Sequence, residues 1–199
     1  GFSCSGKTTL AERIAAAFED LRPQVLVLDA FYRDLSGIPI EERRATNFDA
    51  PQALEWPLVI SCVHGWLRGD TVRAPVYDYG THTRVPGGAT LLHPGRLLIV
   101  EGLHALHAPD LRATYALSVF VRASHEVCLA RRIARDVVHR ARTEEDVRRQ
   151  YAETVRPMAD RCTRPSERYA DIVVDGAASQ VKNAARVVAA LRTATAQRT

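Results

Sequence analysis

The 199-residue sequence predicts a single three-layer α/β domain in which helices cover a mostly parallel β-sheet. A glycine-rich loop at Gly1 to Thr8 leads directly into an amphipathic helix, and short aliphatic runs then alternate with helical patterns along the chain. The composition, with 46% hydrophobic and 25% charged residues, is typical of a globular domain. No apolar run approaches the roughly 18 residues of a membrane span, so a membrane protein is not expected.

The opening loop matches the phosphate-binding pattern G-x-x-x-x-G-K-[ST]. Its backbone N–H groups and the following helix N-terminus favour phosphate oxygens. Lys7 is suited to the β- and γ-phosphates, and the Thr8 hydroxyl is suited to Mg²⁺. The loop therefore predicts a nucleoside triphosphate with Mg²⁺, bound by Gly1, Ser3, Cys4, Ser5, Gly6, Lys7, Thr8 and Thr9.

Such a loop is expected to follow a buried strand, and no residue stands before Gly1. We therefore expect that the first strand of the sheet precedes Gly1 in the natural protein. We also expect the intact protein to bind ATP more tightly than the sequence as given.

The first half of the chain alternates as this fold requires. The pattern predicts a helix over 7–21, a strand over 25–28 that ends at Asp29, a short helix over 41–45, and a longer helix from a cap at Asp49 and Pro51 to near Gly69. From 71 to 92 the pattern predicts a β-hairpin that turns at Pro86-Gly87-Gly88.

The second half continues the alternation. The predicted elements are buried strands over 97–100 and 117–121, a helix over 125–139 capped by Ser124, a helix over 143–161 capped by Thr143, a strand over 172–174 and a closing helix rich in Ala and Val.

Two acidic residues stand at predicted strand ends, where ligands of parallel sheets collect. Asp29 ends one strand and Glu101 ends another, so Thr8, Glu101 and Asp29 are candidate ligands of Mg²⁺. A buried Glu101 carboxylate needs a metal or hydrogen-bond partner; the alternative is a helix-capping acid. For Asp29 the alternative is an ordinary strand-end residue.

Basic residues form a second unusual feature. Arg132, Arg135 and His139 lie at helical spacing with Arg142 just beyond, and Asp136 is the acid within this stretch. We interpret the segment as a lid over phosphates rather than a solvated helix face. The net charge of +4 and pI near 9.1 also fit nucleic acid, but the arginine excess is local and favours a small anionic ligand.

A series of segments then points to one family. They are, in order, Gly1 to Thr9, Asp29-Ala30-Phe31-Tyr32, Asn47-Phe48-Asp49, Pro75-Val76-Tyr77, His82-Thr83-Arg84, Glu101-Gly102-Leu103, Arg131-Arg132-Ile133-Ala134-Arg135-Asp136, Gln150-Tyr151, Val155-Arg156-Pro157-Met158 and Tyr169-Ala170-Asp171. In this order and spacing the chain resembles the uridine kinases, also called uridine-cytidine kinases, as far as about Val174.

The resemblance implies a P-loop kinase fold that transfers the ATP γ-phosphate to the 5′-hydroxyl of uridine or cytidine. It implies a β-hairpin insertion for the base, an arginine-rich helical lid and, by analogy, a homotetramer; a cytoplasmic location is expected from the cysteines. The four separated cysteines agree with reduced cytosolic thiols. We expect neither a nucleic acid nor a membrane as partner.

The resemblance also assigns roles to individual residues. It implies that Asp29 is the general base, that Lys7 and Arg135 act on the transferring phosphate, and that Asp49 accepts hydrogen bonds from the ribose hydroxyls. Further substrate contacts are implied for Tyr77, His82, Arg132, Arg142 and Gln150. Because a neutral imidazole can donate or accept, His82 could read uracil or cytosine, which predicts that both nucleosides are accepted.

The chain departs from the family pattern at several positions. Ala50 stands where many relatives have His, Ala141 replaces the Gly of the lid's Arg-Gly-Arg, and Asp175-Gly176 replaces Pro-Arg-Gly, which leaves ATP or GTP preference open. No family counterpart is assigned to His64, His93, His104 and His107, and the His104-x-x-His107 pair is interpreted as incidental.

Other functions remain open at this point. A P-loop kinase for another small alcohol, such as ribulose 5-phosphate, pantothenate or nicotinamide riboside, would share the loop and Asp29. A nucleotide-binding regulatory or RNA-associated protein without catalysis would not need an acid at the attacking hydroxyl. A GTPase switch is less favoured, because no Asn-Lys-x-Asp motif is present.

Overall fold

The computed structural model describes residues 1–140 and 142–196. The strands are β1 (Gln24–Val27), β2 (Val72–Asp78), β3 (Thr83–Leu92), β4 (Leu98–Glu101), β5 (Val119–Arg122) and β6 (Ile172–Asp175). The helices are α1 (Lys7–Ala17), α2 (Ile40–Arg44), α3 (Trp56–Leu67), α4 (Pro109–Arg112), α5 (His125–His139), α6 (Glu144–Gln150), α7 (Arg156–Met158) and α8 (Gln180–Ala196).

Two pairs of parallel strands form the centre of the fold. β1 pairs with β4, with Val27 opposite Glu101, and β5 pairs with β6, with Arg122 opposite Asp175. Parallel pairing places the carboxyl ends of paired strands together, so Glu101 and the residues after β1 meet at one edge.

β4 and β5 are not hydrogen-bonded to each other among the described residues. A cavity of about 330 Å³ is lined by aliphatic side chains from both strands and from α1. Leu98, Ile99 and Val100 are therefore half-buried, and the prediction that 97–100 is a buried strand was wrong in that respect. The strand expected before Gly1 stays a prediction.

Two apolar clusters hold the helices against the strands. One joins α1 and α8 to β5 and β6 and contains Leu10, Ile14, Phe18, Val121, Val174 and Val187. The other joins α3 to β1 and the hairpin and contains Leu26, Leu28, Phe31, Val59, Val63 and Trp66. α1 also contacts β1 and β4, so it packs against both strand pairs.

The hairpin of β2 and β3 turns at a different place from the predicted one. The turn covers 79–82, where Asp78 Oδ1 accepts from the Gly80 N–H at 2.8 Å and Asp78 Oδ2 accepts from Thr81 Oγ1 at 2.8 Å. Pro86-Gly87-Gly88 lies within β3, where the register shifts and Gly87 has φ of 69°. The prediction that this tripeptide forms the turn was wrong, because the extra residues are absorbed as a bulge.

Several helix boundaries also differ from the predictions. The first helix ends at Ala17, and α3 begins at Trp56 because Pro51–Ala53 forms a separate 3-10 turn. The predicted helix over 143–161 is helical throughout, but two of its turns, Tyr151–Val155 and Ala159–Thr163, are π-helical rather than α-helical. α4 was not predicted.

Two of the predicted caps are confirmed. Ser124 Oγ accepts from the Val127 N–H at 3.3 Å and begins α5. Thr143 Oγ1 accepts from the Asp146 N–H at 3.1 Å and begins α6. These caps set the start of both helices that carry the predicted lid.

Candidate active site

The glycine-rich loop folds as a phosphate loop at the start of α1. Gly6 has φ of 104° and Cys4 has φ of 61°, so the chain reverses before the Gly6 carbonyl accepts the first helical bond from Leu10 at 3.1 Å. A side chain at Gly6 would place its Cβ 2.9 Å from Gln180 Nε2. Lys7 Nζ donates to the Phe2 carbonyl oxygen at 2.7 Å, which holds the ammonium group against the loop.

Arg131, the first residue of the basic family segment but without a predicted site role, holds the loop from the side of the lid. Arg131 Nη1 donates to the carbonyl oxygens of Cys4 and Ser5 at 3.4 and 3.3 Å. Arg131 Nη2 donates to the Gly176 carbonyl oxygen at 2.9 Å. The loop is thereby tied to the turn between β6 and α8.

Glu101 has the partner that a buried carboxylate requires. Its side chain is 9% exposed, and its Oε1 accepts from Thr8 Oγ1 at 3.1 Å. Burial raises the pKa of Glu101, and the Asp29 charge raises it further, while Lys7 opposes the shift. The hydroxyl and the carboxylate, both oxygen donors, therefore lie together beside the lysine.

A single cavity of about 1070 Å³ joins the phosphate loop to the predicted substrate residues. The sequence-predicted site residues that line it are Ser3, Cys4, Gly6, Lys7, Thr8, Thr9, Asp29, Asp49, Tyr77, His82, Glu101, Arg132, Arg135, Arg142 and Gln150. Gly1 and the fully buried Ser5 do not line it. We refer to residues 1–9 with Glu101 as the donor half, and to Asp29, Asp49, Tyr77 and His82 as the acceptor half.

Aromatic rings position the acceptor half. Phe48 stacks on His82 with ring centroids 5.7 Å apart, and Tyr32 meets Tyr77 edge to face at 5.2 Å. Tyr77 Oη is buried and has no hydrogen-bond partner among the described residues, so it is available to a ligand. Burial lowers the pKa of His82, and nearby arginines lower it further, which keeps the imidazole neutral.

The carboxylate of Asp49 lies half-buried at this end of the cavity. Burial raises its pKa and the Asp29 charge adds to the rise, whereas Arg132, Arg135 and Lys7 lower it. The pKa of Asp49 therefore depends on Asp29 and on the basic residues across the cavity.

The lid, which we define as α5 and α6 with the residues between them, is organised around one acid. Asp136 is fully buried and lies within ion-pair distance of four arginines. The closest N···O distances are 3.5 Å to Arg132, 2.8 Å to Arg135, 3.7 Å to Arg140 and 3.8 Å to Arg142. A single carboxylate thus holds the three arginines of the predicted basic face together with Arg140.

The lid also contacts the donor half and the hairpin turn beside the acceptor half. Arg132 Nη1 donates to Ser3 Oγ and its Nη2 donates to Gln150 Oε1, both at 3.1 Å. The Arg140 guanidinium lies over the Tyr79 ring at 4.6 Å, which joins the lid to the hairpin turn.

The cavity lining differs from the prediction at one predicted lid residue and at several residues that were not predicted. His139, the last residue of α5, is exposed and does not line the cavity, so its predicted place on the basic face over the cavity was wrong. Arg131, Arg140, Tyr79 and Gln180 line the cavity without having been predicted as site residues. The sequence signals were the Arg131-Arg132-Ile133-Ala134-Arg135-Asp136 segment for Arg131 and the Arg140-Ala141-Arg142 tripeptide for Arg140; the hinge position Ala141 lies outside the described residues.

The remaining departures from the family pattern are local. Ala50 lies in the turn after Asp49 and its N–H donates to the Asn47 carbonyl oxygen at 3.3 Å. The Asp175 carbonyl oxygen accepts from Asn183 Nδ2 at 2.7 Å, so this residue supports the start of α8.

Comparisons with known proteins agree with this geometry. The profile of the phosphoribulokinase / uridine kinase family matches residues 1–182. The chain belongs to this family. A protein named uridine kinase from Deinococcus deserti is 41% identical over 174 residues, which cover 87% of this chain and 84% of that protein. A second protein named uridine kinase, from Geobacillus kaustophilus, is 37% identical over 198 residues. The match covers 100% of this chain and 93% of that protein.

Solved structures show the same fold. A crystal structure from Silicibacter sp. TM1040, of a protein assigned provisionally as a fructose transport system kinase, superposes with a TM-score of 0.70. The two are 23% identical, and the match covers 87% of this chain and 86% of the other. This chain therefore has the P-loop kinase fold, with the mostly parallel arrangement of strands that the sequence predicts.

None of the described helices is long and apolar enough to span a membrane. Within 1–140 and 142–196, no group of three or more His, Cys, Asp and Glu side chains could hold a metal ion.

Proposed function

We propose that this chain is a Mg²⁺-dependent nucleoside kinase that transfers the γ-phosphate of ATP or GTP to the 5′-hydroxyl of uridine or cytidine. The products are UMP or CMP and the nucleoside diphosphate. The observation that carries the proposal is the single cavity in which the phosphate loop and the Asp29, Asp49, Tyr77 and His82 side chains face the same space.

The donor half supports binding of a triphosphate. The N–H groups of the loop, the N-terminus of α1 and Lys7 offer positive charge to phosphate oxygens. Thr8 Oγ1 and Glu101 Oε1, 3.1 Å apart, are the hard oxygen donors that Mg²⁺ prefers. A magnesium ion that is held by one or two protein oxygens and by phosphates needs no larger group of metal-binding side chains. Such an ion would neutralise negative charge on the phosphates.

The acceptor half supports binding of a nucleoside. Asp29 follows β1 at the edge where Glu101 ends β4, so it can accept the proton of a hydroxyl that attacks a phosphate on the loop. The Asp49 carboxylate can accept two hydrogen bonds from the ribose 2′- and 3′-hydroxyls. Neutral His82 and the unpartnered Tyr77 Oη can hydrogen-bond a pyrimidine.

The lid supports phosphoryl transfer. Arg135 and Arg142 line the cavity from the lid, and a guanidinium carries a fixed charge that suits the transferring phosphoryl group. Closure of this wall over the substrates would exclude water and reduce hydrolysis of the donor. A cytoplasmic location and a homo-oligomeric assembly belong to the same proposal; the first rests on the separated cysteines, and the second rests on family resemblance.

A panel of acceptors tests the proposal. The protein is incubated with Mg²⁺ and either ATP or GTP, and the phosphorylated product is separated from unreacted acceptor by chromatography. The acceptors are uridine, cytidine, 2′-deoxyuridine, 5′-deoxyuridine and ribulose 5-phosphate. We expect turnover of uridine and cytidine, slower turnover of 2′-deoxyuridine, and none of 5′-deoxyuridine, because it lacks the attacking hydroxyl.

The same panel separates the alternatives. Turnover of ribulose 5-phosphate without uridine or cytidine would assign the chain to the other branch of its family. Binding of ATP with no phosphorylation of any acceptor would instead favour a regulatory protein.

A further inference from the structure

A buried histidine that no family motif assigns contacts the backbone of the predicted ribose-binding residue. His104 is 2% exposed and lies in the loop after β4. Its Nε2 is 2.9 Å from the Asp49 carbonyl oxygen. Because a carbonyl oxygen can only accept, Nε2 carries the proton and donates.

The other ring nitrogen fits a neutral imidazole. Nδ1 is buried and has no hydrogen-bond partner among the described residues. Burial lowers the pKa of His104 to about 4, so the ring is uncharged near neutral pH. The buried Nε2–H of His104 therefore holds the Asp49 carbonyl in place and does not act as an acid or a base.

Asp49 is fixed through its main chain on both sides. Its N–H donates to Asn47 Oδ1 at 3.1 Å, and its carbonyl oxygen accepts from His104. Two residues later, the Pro51 carbonyl oxygen accepts from Trp56 Nε1 at 2.9 Å. No described residue donates a hydrogen bond to the Asp49 carboxylate, so the side chain stays available to a ligand while the backbone is held.

We propose that His104 is a positioning residue that orients Asp49 toward the ribose hydroxyls and thereby helps the enzyme select ribonucleosides over 2′-deoxynucleosides. His104 does not line the cavity and acts only through the Asp49 backbone. Its loop begins at Glu101, so it also joins the strand end of the donor half to the acceptor half. The inference rests on the proposed nucleoside kinase function.

Three variants test the inference in the complete chain. His104→Phe keeps the ring shape and removes the donor, whereas His104→Gln keeps an N–H donor near the position of Nε2. His93→Phe changes an exposed histidine outside the cavity and serves as the matched control. KM and kcat are measured for ATP, uridine and 2′-deoxyuridine.

We expect His104→Phe to raise the uridine KM about five- to tenfold, the effect of one lost orienting hydrogen bond. The ATP KM should stay within about twofold of wild type, which also shows that the variant is folded, and the preference for uridine over 2′-deoxyuridine should shrink. His104→Gln should recover most of the preference, and His93→Phe should match wild type.

The inference is wrong if His104→Phe keeps the wild-type uridine KM and deoxynucleoside discrimination. It is also wrong if the ATP and uridine KM values rise together, or if His104→Gln is no better than His104→Phe. Failure of the proposed function is a separate result, because the wild-type protein itself would then phosphorylate neither nucleoside.

Discussion

The donor half of the cavity comes almost entirely from one continuous segment, whereas the acceptor half is assembled from separate ones. Residues 1–9 form their own turn, their own lysine contact and the start of α1. In the acceptor half, Asp29 follows β1 and Asp49 precedes α3, while Tyr77 lies in β2 and His82 in the hairpin turn. Contacts between aromatic rings bring these segments together. A local segment can keep its geometry when distant residues change, but an assembled half depends on every element that supports it.

The lid belongs to neither half and depends on both. Arg132 hydrogen-bonds Ser3 in the donor half, and Arg140 lies over Tyr79 beside the acceptor half. Substitutions in the acceptor half should therefore leave donor binding intact, while substitutions in the lid should affect both substrates.

The largest expected effect is that of Asp29→Asn. An amide cannot accept the proton of the attacking hydroxyl, so kcat should fall about 10²- to 10⁴-fold. ATP affinity, measured by calorimetry, should stay within about twofold because the donor half is unchanged. Asp20→Asn, at an exposed acid outside the cavity, is the control. Unchanged turnover in Asp29→Asn would remove Asp29 as the base.

Asp136→Asn should disturb the lid and, through its contacts, both halves of the cavity. The change leaves four arginine side chains without their shared carboxylate, and we expect the free energy of unfolding to fall by about 2 kcal/mol, since three of these arginines are partly solvated. We expect kcat to fall about tenfold. Urea denaturation and steady-state kinetics measure the two effects.

High salt provides an internal check on Asp136→Asn. Screening of the repelling arginines should narrow the stability difference from wild type. The exposed Asp110 gives the control Asp110→Asn. Equal stability of Asp136→Asn and wild type at low salt would show that the acid does not organise the lid.

Acidification should destabilise the folded protein through buried His104 in a window set by the pKa of this residue. Unfolding returns this pKa from about 4 to the ordinary value of 6.5, so between these values the unfolded chain binds more protons and stability rises with pH. From pH 7 to pH 5, the wild type should lose about 2 kcal/mol of unfolding free energy relative to His104→Gln. Urea titrations of both proteins at the two pH values measure this, and parallel losses would contradict the pKa shift.

The smallest expected effect is that of His82→Phe. A phenyl ring keeps the stacking on Phe48, now 5.7 Å between centroids, but has no polar atom for the base. The uridine KM should rise about tenfold with little change in the ATP KM. If both KM values match wild type, His82 does not read the base.

The same contrast explains what could be predicted from the sequence. The phosphate loop and the strand-end acids were predictable, because turn, helix start and strand end are local and lie within a few residues of one another. The pairing of Thr8 with Glu101 followed once both were placed at the carboxyl edge of parallel strands.

The remaining features depend on long-range packing or on a weaker signal. Pro86-Gly87-Gly88 has the composition of a turn, but strand register made it a bulge and Asp78 directed the turn to 79–82. Arg140 and Tyr79 meet only because lid and hairpin fold against each other. His104 and Asp49 are far apart in the chain, and no pattern indicated their contact.

The lid arginines have a consequence for how the two substrates arrive. Four guanidinium groups surround the one Asp136 carboxylate, so this cluster carries a net positive charge on the wall of the cavity. Such a field attracts a polyanion from several ångströms away and raises its encounter rate at low ionic strength. An uncharged nucleoside gains nothing from it and reaches the same cavity by unassisted diffusion.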